Sequence, residues 1–346
     1  MAALDRKDSH LALCLEQEVE YPGSSGFAGL RFDHDALPEL DRDAVSTGVE
    51  LLGKRLAAPI VIGAMTGGTP RAAELNRRLA RAAAACGVGM ALGSQRKMLE
   101  DPATRASFAV REAAPDLPLL FGNVGAVQLN YGVGAAEVRR LVSEVGCDAF
   151  LFHLNPLQEA IQPEGDTRFG ALLPRLREVA PAAGVPVLLK EVGSGISRTT
   201  AAKIRELPVA GVETSGVGGT SWSRIESLRT ADPVQRSTGE LFARWGVPTV
   251  ESIRACREEL PGRVIIASGG IRNGIEAAKA LALGADAVAL ALPLLRAAER
   301  SVEDAVLALR RVIEELRTAM FVTGCRAVAD LRSRPLLRAR DFTAEG

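Results

Sequence analysis

The sequence predicts a single α/β domain, an eight-stranded parallel β/α barrel, on three observations: its length, its small-residue apolar composition, and eight short apolar runs that alternate with helical patterns. A chain of 346 residues is long for an ordinary domain but normal for such a barrel with terminal extensions. Hydrophobic residues make up 47% and aromatics only 4%, with 34 glycines, so the core must be built from Ala, Val, Leu and Ile around close backbone approaches. The apolar runs fall at 59–65, 87–92, 117–124, 147–153, 185–190, 209–213, 263–268 and 285–291. Their hydrophobicity is continuous rather than alternating, which means burial on both faces, as in a parallel sheet. Eight such units favour a closed barrel over a doubly wound sheet of five or six strands. The expected domain covers 1–346, with a barrel core at about 57–325.

Outside the runs, the stretch before residue 59 shows little periodicity, and 302–320 reads as a long amphipathic C-terminal helix. Residues 216–237 read as a long, polar, Gly-bearing loop after the sixth strand, a place where barrels carry lids. Lys+Arg and Asp+Glu are 42 each, which removes any global electrostatic reason to expect nucleic acid or an anionic membrane as partner. Cys14, Cys86, Cys147, Cys256 and Cys325 lack the spacing of a zinc site or a disulfide framework and read as reduced core thiols. The N-terminus is charged where a signal peptide is apolar, and no run of about 18 apolar residues occurs. The expected location is cytoplasmic.

The segment 267–274 (ASGGIRNG), after the seventh strand, carries the most specific chemistry. In barrels the loops after strands seven and eight, with a short helix N-terminus, bind phosphate: glycines expose N–H groups to the anion, and the helix dipole favours its charge. The segment 65–69 (MTGGT) follows the first strand; it can lay a flat ring against its backbone, or be a plain turn with Thr69 as helix N-cap. Lys190 ends a strand otherwise made of Val and Leu, which is costly unless it faces a ligand at the mouth or pairs with Glu191 or Glu213. The run 153–166 (HLNPLQEAIQPEGD) offers an imidazole, amides and carboxylates to one pocket, a donor set that suits Mg²⁺ shared with substrate phosphates. Ser94, Gln95 and Arg96 follow a buried strand and place a guanidinium at the mouth, suited to bidentate phosphate binding. Arg6 and Lys7 form a second basic pair, which alone reads as solvated charge.

Taken in order, these segments resemble the type 2, FMN-dependent isopentenyl diphosphate isomerases. The resemblance runs from residue 6 to about 330 and rests on RK at 6–7 with His10, MTGG at 65–68, GSQR at 93–96, NVGAVQL at 123–129, HLNPLQE at 153–159, KEVGSGIS at 190–197, GGTSW at 218–222 and GGIRNG at 269–274. Two departures are ETSGVGG at 213–219, where the family more commonly has DVAGAGG, and Arg272, a position that varies. The resemblance implies FMN, Mg²⁺ and NADPH as reductant, isopentenyl and dimethylallyl diphosphate as substrate and product, and a homo-oligomer, tetramer or octamer. Carried over position by position, FMN contacts fall on Met65, Thr66, Gly67, Ser94, Asn123, Lys190 and Thr220, and its phosphate on Gly270, Ile271, Arg272, Ala291 and Leu292. The substrate diphosphate would meet Arg6, Lys7, Ser94, Gln95 and Arg96. His153, Asn155 and Gln158 would be the catalytic residues and line the substrate, with Gln158 also binding it, and Glu159 would hold the metal.

Shifting a double bond adds a proton at one carbon and removes one from another. A mouth read as holding one histidine and no cysteine leaves reduced FMN, through N5, as the acid and base. The nearest rival is another FMN barrel, an α-hydroxy-acid oxidase, which needs a histidine base with neighbouring arginines. The only histidines are His10, His34 and His153, none after the sixth strand, which disfavours that chemistry. A non-catalytic flavin or phosphometabolite sensor is the third reading.

Overall fold

The computed structural model describes residues 6–21 and 24–338. Eight parallel strands close into a barrel in chain order: β1 (Ile60–Ile62), β2 (Gly89–Ala91), β3 (Leu120–Gly125), β4 (Ala149–Leu154), β5 (Val187–Glu191), β6 (Gly211–Glu213), β7 (Val264–Ser268) and β8 (Ala287–Leu290). Each lies inside or overlaps one of the expected runs, and β8 closes on β1 through the pairs Val288 with Ile60 and Leu290 with Ile62. The reason for the continuous apolar runs is visible residue by residue. In β4, Leu151 joins an interior cluster with Val61, Phe121, Leu188 and Ile266, whereas its neighbours Phe150 and Phe152 face the outer layer under the helices. Both faces of every strand are dry, so period-2 alternation disappears from the sequence.

The stretch before β1 is more ordered than its weak periodicity suggests. It holds a helix Arg6–Glu16, a strand Leu30–Phe32 paired antiparallel with Leu336–Arg338, and a hairpin of Val49–Leu51 with Lys54–Leu56. The hairpin drives Leu51 and Leu56 into the interior cluster and plugs the N-terminal end of the barrel. The expected loop 216–237 also proves mostly helical, with Trp222–Arg229 and Pro233–Phe242. Its start signals are Ser221, which accepts from Arg224 N, and Asp232, which accepts from Val234 N and Gln235 N ahead of Pro233. The C-terminal helix runs Val302–Phe321, close to the expected 302–320, and packs on the helices Pro70–Cys86 and Gly274–Ala282. All five cysteines are unpaired and all but Cys86 are buried. Among the described residues no helix is long and apolar enough to cross a membrane.

Candidate active site

The C-terminal ends of the strands open into a cavity of two joined lobes, of about 940 and about 930 Å³ counted out to open solvent. Lys7, His10, Met65, Lys190 and Trp222 line both lobes and form the seam between them.

The first lobe is walled by the loops after β1, β6, β7 and β8. Lys190, at the end of β5, is buried and does both things its position allowed: it faces the seam and it is paired. Its Nζ donates to Glu213 at 2.7 Å, to Ser215 Oγ at 3.0 Å and to the Glu191 carbonyl at 2.8 Å. Glu213 in turn accepts from Ser268 Oγ at 2.9 Å, which ties the ends of β5, β6 and β7 together. Thr66 lies in this wall with its hydroxyl buried and without a partner in the protein. The phosphate loop crosses the loop after β6 so closely that a Cβ on Gly219 would stand 2.8 Å from Gly270 N. Helix Gly274–Ala282 begins with two of its N–H groups taken by side chains: Asn273 accepts from Glu276 N at 2.9 Å, and Glu315 from Gly274 N at 2.8 Å. The helix that opens on the cavity without a side-chain cap is Leu292–Arg300, entered through Ala291. In that first turn Pro293 has no N–H and Leu294 N donates to the Ala291 carbonyl at 3.0 Å, so what this helix start offers an anion is Leu292 N and the dipole.

The second lobe is polar and holds the run after β4. His153 Nδ1 lies 2.9 Å from Asn123 Oδ1, whose amide nitrogen donates to the Leu92 carbonyl at 3.0 Å. That fixes the Asn123 oxygen as acceptor and leaves His153 Nε2 as a bare acceptor facing the lobe. Burial, then the charges of Lys7, Lys190 and Arg96, push the imidazole down to about 3. Glu159 accepts from Asn155 Nδ2 at 2.8 Å and Asp166 N at 2.7 Å, and burial holds its carboxyl above the usual range. Asn155 Oδ1 is buried without a partner. Arg96 reaches the lobe while donating to Asp166 at 2.5 Å and pairing with Glu100 at 2.8 Å. Arg6 and Lys7 also line this lobe, carried there by their own helix, which is pinned by Thr69 Oγ1 donating to Asp8 at 2.6 Å.

Three expected contacts are turned away from the cavity. Gln95 is fully buried: its Oε1 accepts from Asn123 N at 2.9 Å and its Nε2 donates to the Leu141 carbonyl at 3.4 Å, so it braces β3 instead of meeting a ligand. Gly67 sits behind the wall, where a Cβ would lie 2.0 Å from the Phe108 ring. Ile271 sends its side chain into the core, leaving only its backbone for an anion. Ser94, expected on both ligands, lines the second lobe alone, as do Asn123 and Gln158; Thr220 and Arg272 line the first.

The mouth also holds residues without an expected role. His10 and Cys14 line the first lobe, correcting a mouth with one histidine and no cysteine, although burial lifts the Cys14 thiol to about 11 and keeps it inert. Glu226 is fully buried and collects His10 Nε2 at 3.0 Å, Gln158 Nε2 at 3.2 Å and the Arg229 guanidinium. Burial opposes its charge, but the hydrogen bonds from His10 and Gln158 and the charge of Arg229 outweigh this and hold its carboxyl below the usual range. With its amide oriented to satisfy both ends, Gln162 donates to Glu226 at 3.2 Å and accepts from Arg6 at 2.8 Å. The available signal was the Ser221 cap, which sets Trp222, Glu226 and Arg229 on one helical face.

The pattern of the FMN-dependent dehydrogenase family matches residues 162–338. Among solved structures, a mandelate oxidase bearing an FMN adduct superposes with a TM-score of 0.66 at 19% identity, covering 98% of this chain and 94% of that one. Barrel, uncapped helix end and family pattern together define an FMN-dependent barrel enzyme. Two relatives narrow this: an isopentenyl-diphosphate delta-isomerase of Synechococcus sp. is 49% identical over 96% of each chain, and one of Rickettsia bellii is 44% identical over 97% of this chain and 98% of its own. The chain belongs to the type 2, FMN-dependent isopentenyl-diphosphate delta-isomerases.

Proposed function

We propose that this enzyme interconverts isopentenyl and dimethylallyl diphosphate, with FMN in the first lobe, the diphosphate in the second, and Glu159 as the residue that would hold Mg²⁺. The observation that carries the reading is the pairing of the two lobes across one seam. The first offers a buried unpartnered Thr66 hydroxyl, close-packed glycines and the uncapped start of helix Leu292–Arg300, which fit a flavin and its phosphate. The second gathers Arg6, Lys7 and Arg96 beside an uncharged stretch of His153 and Asn155, which fits an anionic head and a short apolar tail. Among the described residues no three carboxylates, histidines or cysteines form a protein-only metal site. One carboxylate with neutral amides fits a Mg²⁺ that takes its remaining ligands from phosphates and water.

Among the described groups near this lobe, Glu159 is assigned to the metal, which leaves His153 and Glu226 as candidates for the acid. His153 is neutral with its single N–H turned to Asn123, and Glu226 is held as a carboxylate. When bound, FMN in its reduced form, maintained by NAD(P)H, supplies the proton donor and acceptor at N5. Arg6, Lys7 and Arg96 hold the diphosphate, while Gln158, fixed by Glu226, and Asn155 orient the carbon tail against the seam. Lys190 stands beside the flavin lobe, paired with Glu213 at 2.7 Å. Hydroxy-acid oxidation is disfavoured, because no histidine follows β6 in the chain, and His10, which does reach the first lobe, comes from the N-terminal helix and is engaged by Glu226 at 3.0 Å.

The test is anaerobic incubation of the protein with isopentenyl diphosphate, FMN, Mg²⁺ and NADPH, followed by detection of dimethylallyl diphosphate. Bound, reduced flavin without product would sink the proposal. In the same assay Gln158→Ala is expected to cut turnover with the flavin spectrum intact, whereas Lys190→Ala lowers FMN retention; equal effects on both readouts would refute these roles. Glu159→Gln is expected to raise the Mg²⁺ concentration needed for half activity.

A further inference from the structure

We infer that Glu20 is a positioning residue for the cofactor: through Arg272 it presets the phosphate end of the flavin lobe, and so ties the N-terminal segment to FMN retention. The inference rests on the reading of the first lobe as the FMN site.

Glu20 is held by backbone before its side chain does anything. Tyr21 N donates to the Gly219 carbonyl at 2.7 Å and Ser221 N to the Val19 carbonyl at 2.9 Å, so residues 19–21 bridge antiparallel to the loop that carries Thr220. From that fixed position the Glu20 carboxylate accepts from Arg272 Nε at 2.9 Å and also from Nη2 of the same guanidinium. Arg272 Nη1 donates to the Ile271 carbonyl at 3.0 Å. The Nε–Nη2 edge of the guanidinium is therefore occupied by Glu20, and the end-on edge, with one N–H left on each of Nη1 and Nη2, points on from the pair. Arg272 lines the flavin lobe and shares it with Ala291 and Leu292 at the uncapped helix start.

A guanidinium can serve a carboxylate on one edge and a phosphate on the other, because its five donors lie in one rigid plane. An arginine left alone at 31% side-chain exposure would sample several rotamers and lose that freedom on binding. Glu20 removes the loss in advance, which is preorganisation. The partial neutralisation of Arg272 is outweighed, because the dianion also meets a helix N-terminus and backbone N–H groups.

The experiment titrates apoenzyme with FMN and with riboflavin, which lacks the phosphate, following flavin fluorescence. Glu20→Ala is expected to weaken FMN binding about tenfold and to leave riboflavin unchanged, since immobilising one rotamer-rich side chain is worth roughly that factor. Glu20→Gln, which keeps the acceptor oxygen, should recover part of the loss. In an Arg272→Leu background Glu20→Ala should change nothing further. Equal weakening of both flavins would make Glu20 a structural strap residue and overturn the inference, as would FMN binding that is unchanged or tighter. Wild-type protein that fails to bind FMN would instead overturn the reading of the lobe.

Discussion

At the scale of single residues, His153 shows how burial sets a chemical role. Its imidazole falls from 6.5 to about 3, so it stays neutral across the working range and acts as a hydrogen-bond acceptor through Nε2. The unfolded chain binds this proton below 6.5 and the folded one does not, so the stability His153 contributes is full above 6.5 and is lost as pH falls toward 3. His153→Gln should therefore narrow the gap in urea midpoint between pH values near 7 and near 4.5, and a gap equal to wild type would contradict the neutral assignment. Glu191 runs the other way: burial raises its carboxyl to about 7, so its contribution is full below the ordinary value of 4.5 and is lost as pH rises through 7. Of the residues expected at the site, those named for charge at a strand end, Lys190 and Arg96, proved to face the cavity, because burying either without a partner would be prohibitive. Gln95 did not, because a neutral amide can satisfy itself inside a wall as well as at a mouth, and nothing local distinguishes the two.

At the scale of elements, the helix Arg6–Glu16 brings Arg6, Lys7 and His10 over the mouth of their own chain. Beside the buried Leu11 and Cys14, its polar anchors include Asp8 to Thr69, His10 to Glu226, and Arg296 donating to the Cys14 carbonyl at 3.3 Å. Asp8→Ala removes one of them, leaving Thr69 as the cap of helix Pro70–Cys86 through Ala72 N. The expected result is a KM for the diphosphate raised about fivefold with the flavin spectrum unchanged, the loss being near that of one hydrogen bond. An unchanged KM would mean that the helix does not need this anchor to present Lys7. The helices Trp222–Arg229 and Pro233–Phe242 were hidden by the glycines ahead of them and by their polar residues, although the caps Ser221 and Asp232 were present in the sequence. Polar composition is a correlate of loops, whereas an N-cap is a cause of helices, and here the cause prevailed.

At the scale of the whole molecule, stability and chemistry occupy opposite ends of the barrel. Leu51, 2% exposed, plugs the N-terminal end and lines neither cavity lobe. Leu51→Ala is expected to cost about 2–5 kcal/mol in urea unfolding, as a large-to-small change in a packed core, while kcat at 25 °C stays within about twofold. A matching loss of kcat would show that the two ends are coupled. What the sequence by itself determined was the barrel, its strand positions, the glycines of the phosphate loop and the residue types of the mouth. Each depends on local causes, namely two-sided burial of a short run and the backbone freedom of glycine at a turn. Only the tertiary structure decided which side chains meet. It joined His10 to Glu226 and Glu20 to Arg272 across most of the chain, and turned the side chains of Gln95 and Ile271, with Gly67, out of the cavity. The physical reason is that barrel closure brings loops from all eight strands to one rim, where the neighbours of a residue are set by strand order and not by distance along the chain.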